Sequence, residues 1–215
     1  MSINIDQIRS AFTNHRRNDM PAIPGQRNDV LTGILVPIID EPIPSVIVTR
    51  RAAGLPHHAG EVCFPGGRRS PNDQSLSETA LREAREEVGI TSATIVGQLS
   101  SMPVYGSEYR LVPFVGLVPP TPLKADPGEV ACIHTISLLD LFDRAHIDSI
   151  SYEWKGEQLQ SPVFEAGTDL LFGATGHVLL ELMEVLGPVL GKAPPPLKPG
   201  RYDWAMLERR LHGNA

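Results

Sequence analysis

The sequence predicts an α+β chain: one mixed domain in which helices cover a sheet, with a short tail behind it. Three observations carry that expectation. Short runs rich in β-branched and aromatic residues recur between turn signals, as in LTGILVPI (31–38) and SVIVT (45–49) around DEPIP. Two longer stretches, 76–88 and 176–187, carry helical rather than alternating apolar patterns. The proline-rich stretch APPPLKPG (193–200) then sets off a last amphipathic segment.

Taken in order, residues 6–16 read as an amphipathic helix with Ile8 and Phe12 one turn apart. After the two strands comes a short third, GEVCF (60–64), closed by a Pro65-Gly66-Gly67 turn. ATIVGQLS (93–100), YRLVPFVGLV (109–118) and VACIHTI (130–136) are further strands, and SLLDLF (137–142) opens a helix. SYEWKGEQLQSPVF (151–164) alternates around Lys155-Gly156 like a hairpin. GHVLLELMEVLG (176–187) is a strongly apolar helix, and RYDWAMLERRL (201–211) a short terminal one. Its stripe of Trp204, Leu207 and Leu211 requires burial, on its own domain or on a neighbouring subunit of a homodimer. The chain divides into a domain over 1–192 and a linker with a C-terminal helix over 193–215.

Composition limits the function classes. The 215 residues suffice for one sizeable core, and a net charge of −6 argues against nucleic acid as a partner. Two cysteines, Cys63 and Cys132, are too few for a disulfide framework and are expected as buried thiols. The N-terminus lacks the apolar core of a signal peptide and no run approaches a membrane span, which makes a cytoplasmic location the expectation.

The helix 76–88 holds the chemistry. Ser75 and Glu78 form a capping box, and Gly89 stands where a left-handed cap belongs. Leu81, Ala84 and Val88 fall on a core stripe, whereas Glu83, Glu86 and Glu87 crowd another third of the wheel. Two of those carboxylates lie in the last turn, where they oppose the helix macrodipole. Glu83 also repels both others, at about 0.2–0.5 kcal/mol per pair. A solvated face would explain charge, but not this clustering at the wrong end. Carboxylates converging within a turn suit a hard divalent cation, Mg²⁺ or Mn²⁺.

The preceding segment, TRRAAGLPHHAGEVCFPGGRR (49–69), is the most basic in the chain. Arg50, Arg51, His57, His58, Arg68 and Arg69 offer groups that hold phosphate oxygens, and Gly66-Gly67 lets the backbone approach a ligand. A basic segment feeding a glycine pair and then an acidic helix is what a metal-bridged phosphate ester needs.

GGRRSPNDQSLSETALREAREEVGI (66–90) resembles the Nudix box of Nudix hydrolases, with Arg82-Glu83, Glu86-Glu87 and Gly89-Ile90 in register. Asp73 stands where that box ordinarily has a glutamate, and the stretch to Arg82 is one residue longer. This variant is similar to the coenzyme A pyrophosphatase subgroup. Gly60 and Phe64-Pro65-Gly66-Gly67 fit that subgroup's second motif, while Pro56 replaces its arginine. The resemblance implies a Nudix fold, an α/β/α sandwich around a mixed sheet. It implies Glu83, Glu86 and Glu87 as metal ligands, with a carbonyl from Gly67, and Arg82 as the residue that orients them. It implies a Mg²⁺- or Mn²⁺-dependent hydrolase of a nucleoside diphosphate derivative, coenzyme A first, with ADP-ribose or NADH as alternatives. A nucleotide-binding module without catalysis is the rival from another class. Glu86 and Arg82 then serve catalysis, Arg50, Arg51, His58 and Arg68 bind substrate, and Glu129 in PGEV is the candidate base, ahead of Glu108.

Overall fold

The computed structural model describes residues 5–154 and 156–212, so Lys155 lies outside the described residues, as does the Leu211 side chain. In chain order the elements are α1 (Ile5–Thr13), β1 (Val30–Ile39), β2 (Ser45–Arg51), β3 (Val62–Cys63), β4 (Gly66–Arg68) and α2 (Leu76–Val88). There follow β5 (Thr94–Gln98), β6 (Met102–Pro103), β7 (Tyr109–Val118), β8 (Val130–Ser137), α3 (Leu138–Phe142), β9 (Ile147–Trp154) and β10 (Glu157–Ala166). β11 (Asp169–Leu171), α4 (Gly173–Leu190), β12 (Leu197–Pro199) and α5 (Trp204–His212) complete the chain.

The main sheet runs β3-β2-β1-β7-β5, with β4 on β1, β6 on β7 and β8 on β2. It is mixed, because β1 and β7 pair in parallel from Val30↔Tyr109 to Ile39↔Val118 while their other neighbours are antiparallel. Strand β1 shows why this is a layered fold. Leu35 and Ile39 point to one face, where they join Ala80, Ala84 and Val88 of α2. Ile34, Val36 and Ile38 point to the other, against Leu179, Leu182 and Met183 of α4. The alternation of period two divides one apolar run between two cores. A second sheet, β11-β10-β9-β12, adds Ile147 and Phe164 to the α4 side.

Several expectations need correction. Gly66-Gly67 is not a turn but strand β4, paired as Gly33↔Gly67 and Ile34↔Gly66. A Cβ at Gly66 would collide with the Gly33–Ile34 backbone, so close approach of strands, not turning, calls for glycine there. The third strand shrinks to Val62–Cys63. The proline-rich linker contains β12, which pairs in parallel with β9. Behind it Tyr202 and Leu207 are buried against Ile150, Val163 and Leu170, so the tail lies on its own second sheet. Trp204 keeps 41% exposure. Both cysteines are free and half-buried rather than fully buried. Helix α4 is long and apolar enough to cross a membrane, contrary to the sequence expectation. Here its stripe of Val178, Leu179, Leu182, Met183 and Leu186 is spent in the core.

Candidate metal and diphosphate site

Helix α2 is fixed at both ends. Its first turn sits so close to β1 that a Cβ at Gly33 would collide with the Leu76 carbonyl. The Ser75 side chain accepts from the Glu78 amide, and Glu78 in turn accepts from the Gln74 amide at 2.6 Å. At the other end Gly89 takes a left-handed φ of 76°, and the Ile90 amide reaches back to Ala84. Beyond the cap, the amides of Lys124 and Asp126 donate to the last helical carbonyls, Val88 and Glu87. That tether brings the 126–129 turn beside the helix, and the Ala52 amide closes on the Glu129 carbonyl.

The result is a cluster: one carboxylate oxygen each from Glu83, Glu87 and Glu129 lies within 4.8 Å of the others. Glu87 is only 3% exposed and Glu129 is at the open rim. Among the described residues the hydrogen bond given to Glu87 is one backbone amide, that of Gly66 at 3.2 Å. Burial, then repulsion from Glu83, pushes its carboxyl up to about 8. Burial raises Glu83 as well, against the opposing pull of Arg82. Gly67 lies against this cluster, for a Cβ there would strike the Glu83 carboxylate.

Arg82 binds three carboxylates at once. Its guanidinium donates to Asp73 at 3.0 Å, to Glu83 at 2.9 Å and to Glu86 at 2.7 Å. It also donates to the Arg68 carbonyl, tying α2 to β4. Asp73 is buried and accepts further from the Ser70 amide and the Thr79 hydroxyl. The Arg82 bonds, then the Ser70 amide, hold its carboxyl well below the usual range. Sequence reasoning noted Asp73 as a departure and missed its role as the anchor of Arg82. Glu86 is half exposed, bonded to Arg82, and stands outside the three-carboxylate cluster.

The basic segment divides in two. Arg50 faces Asp169 of β11 at 3.2 Å, and the same carboxylate meets His134 at 2.8 Å, so this arginine joins the two sheets. His58 adopts a positive φ of 56° and bonds Glu61 at 2.9 Å. Arg69 donates to the Asp73 and Gln74 carbonyls and shapes the loop before α2. Arg51 turns toward Glu87 and Cys63, with its Nε buried and without a hydrogen-bond partner among the described residues. Desolvation, then Glu87, pushes the Cys63 thiol up to about 11, which makes it a poor nucleophile. Arg68 extends over the Tyr109 ring at 5.9 Å. Glu108 is exposed in the turn before β7 and does not belong to the cluster.

A sheet-borne glycine pair, an acidic helix held by an arginine, and a carboxylate triad thus meet at one end of α2. The NUDIX domain model matches residues 31–154. The chain is 34% identical over 180 residues to "Uncharacterized Nudix hydrolase NudL" of Photorhabdus laumondii, covering 81% of this chain and 96% of that protein. It is 36% identical over 193 residues to the protein of the same name in Yersinia pestis, covering 83% and 94%. Among solved structures it is similar to a MutT/nudix family protein of Enterococcus faecalis (TM-score 0.49, 18% identity, 81% of this chain and 71% of that one). It is also similar to the NUDIX domain of Shewanella oneidensis NrtR complexed with ADP ribose (TM-score 0.43, 21% identity, 52% and 74%). The chain belongs to the Nudix hydrolase family, whose members act on pyrophosphate bonds and generally use divalent metals such as Mg²⁺ or Mn²⁺.

Proposed function

We propose that this protein is a Mg²⁺- or Mn²⁺-dependent diphosphatase that cleaves a nucleoside diphosphate derivative, with coenzyme A and its thioesters as the first candidates. The observation that carries it is the convergence of Glu83, Glu87 and Glu129, with Glu87 buried and given so little to offset its charge. A buried carboxylate in that state is costly unless a cation completes it. All donors are hard oxygens, which fits Mg²⁺ or Mn²⁺ rather than a soft metal.

Glu83 and Glu87, with the Gly67 carbonyl, are the residues that would hold the ion, and Glu86 would join them by exchanging Arg82 for it. Such an ion supplies positive charge where the diphosphate oxygens gain negative charge, and it acidifies water. Arg82 keeps Glu83 and Glu86 oriented while Asp73 keeps Arg82 in place. Glu129, at the solvent rim, accepts the proton of the attacking water. Arg51, whose buried Nε–H has no acceptor among the described residues, and Arg68 hold phosphate oxygens. Coenzyme A would leave as 3′,5′-ADP and phosphopantetheine.

An ADP-ribose or NADH diphosphatase is the second reading, and a specific observation favours it. Arg50 and His58 are engaged by Asp169 and Glu61, and Pro56 stands where the subgroup motif has arginine. Fewer cations therefore remain for a 3′-phosphate. Comparing kcat/KM for coenzyme A, dephospho-coenzyme A, ADP-ribose and NADH separates the two. The first reading expects coenzyme A to be preferred, with a higher KM for dephospho-coenzyme A. A clear preference for ADP-ribose or NADH overturns it and leaves the diphosphatase standing.

A further inference from the structure

Tyr109 is half-buried yet belongs to none of the three apolar clusters of the described residues, and its hydroxyl has no hydrogen-bond partner among them. Two groups from the basic segment meet its ring. The Arg68 guanidinium lies over it at 5.9 Å, and the exposed His57 imidazole meets it edge-on at 6.5 Å between centroids. Its backbone is held with unusual care. The Asn28 side-chain amide, 2% exposed, lies 3.0–3.2 Å from the carbonyls of Val104, Ser107 and Tyr109. Asn28 takes a positive φ of 44° to reach them, and its own oxygen accepts from the Ile23 amide. A buried side chain spent on one surface turn fixes the ring that the turn presents.

The location gives the ring its use. Gly67, paired with Gly33, faces the Glu83 carboxylate. Arg68, paired with Thr32, and Tyr109, paired with Val30, share the opposite face of the sheet. Only the short strand β4 thus separates the Arg68 side chain from the acidic cluster. The 52–60 loop links the two sides. At one end the Ala52 amide binds the Glu129 carbonyl, and further along His57 meets Tyr109. A diphosphate on the cluster whose next group follows this loop past β4 brings that group to the ring.

The geometry points to Tyr109, flanked by Arg68 and His57, as the platform on which the nucleobase of the substrate stacks. This rests on the diphosphatase reading above and assigns its specificity for nucleoside-bearing diphosphates to one residue. An aromatic face accepts any base, and the adjacent guanidinium adds a cation over the same π system. Preference among bases is thus weak here, and preference for a base over none is strong.

The test measures KM for ADP-ribose and the Kd for ADP in saturating Mg²⁺, in wild type and in Tyr109→Leu, Tyr109→Phe and His57→Ala. Tyr109→Leu raises both constants about tenfold or more, within the span of base–aromatic stacking. Its kcat stays within about threefold of wild type, because the cluster is untouched. Tyr109→Phe restores both constants, since stacking needs the ring and not the hydroxyl. His57→Ala, on the exposed side, weakens ADP about threefold and serves if the leucine variant fails to fold. Equal ADP affinities in wild type and all three variants overturn the platform. Wild-type protein that hydrolyses no diphosphate overturns the hydrolase reading instead, and the ADP measurements still decide the platform.

Discussion

Two buried carboxylates flank helix α2, and they are treated oppositely. Asp73, before its first turn, receives Arg82, the Ser70 amide and the Thr79 hydroxyl, and its proton is lost far more easily than usual. Glu87, in its last turn, receives the Gly66 amide, faces Glu83, and keeps its proton up to about 8. Both lie in one layer, so depth alone does not separate them. What differs is whether the fold supplies a positive partner in contact. Where it does, the carboxylate is structural. Where it does not, the carboxyl holds its proton instead, and ionising it calls for a positive partner from outside the fold.

The largest expected effect tests whether Glu86 belongs to the second kind. Glu86→Gln removes a charge while keeping shape and helix propensity, so circular dichroism and the thermal midpoint remain close to wild type. Diphosphate turnover in Mg²⁺ falls at least about a hundredfold, since metal charge stabilisation is worth several kcal/mol. Turnover within about threefold of wild type places Glu86 with Arg82 alone and narrows the catalytic set to Glu83, Glu87 and Glu129.

Asp73→Asn strikes the structural member. Arg82 then loses the acceptor that dominates its environment and no longer holds Glu83 and Glu86 in register. We expect kcat to fall about 10–100-fold, the range seen when outer partners of a metal site are removed. Because the folded Asp73 carboxyl is depressed, its stabilisation is present above its unfolded value near 3.8 and is lost as pH falls. The midpoint difference between wild type and Asp73→Asn should therefore shrink on acidification below about pH 4. A difference that is constant from pH 7 to pH 3 would refute the assignment of Asp73 as an ionised anchor.

Much of α2 was legible in the sequence because its signals are local. Ser75, Glu78 and Gly89 act within a turn of themselves, and their caps are found where the spacing puts them. Three glutamates on one third of a wheel were also legible, although the wheel could not show that Glu129, from a later turn, joins Glu83 and Glu87. The basic segment was the harder part. Arg50 and His58 look alike as phosphate ligands, yet their partners are set by strand pairing and loop closure. Asp169, which takes Arg50, comes from the second sheet, far along the chain. Gly66-Gly67 was misread for a related reason. Glycine marks a turn or a close approach equally well, and only the neighbour at Gly33–Ile34 decides which. Tyr109 looked like any strand residue, and nothing in its immediate neighbours announces the Asn28 bracket 81 residues away.

The contrast between Asp73 and Glu87 is tested most directly by thermal melts of wild type and Glu87→Gln, without metal and with saturating Mg²⁺, at pH 6 and pH 9. The folded Glu87 carboxyl is raised, so in wild type without metal it costs little below its unfolded value near 4.5. The cost grows as pH climbs, reaching its full size above about 8. The account predicts a metal-free wild-type midpoint that falls between pH 6 and pH 9, by several degrees more than that of Glu87→Gln. It predicts a Mg²⁺-induced rise that is larger at pH 9, where no proton competes, and that is mostly lost in the variant. Equal Mg²⁺-induced shifts in wild type and Glu87→Gln at both pH values would contradict it.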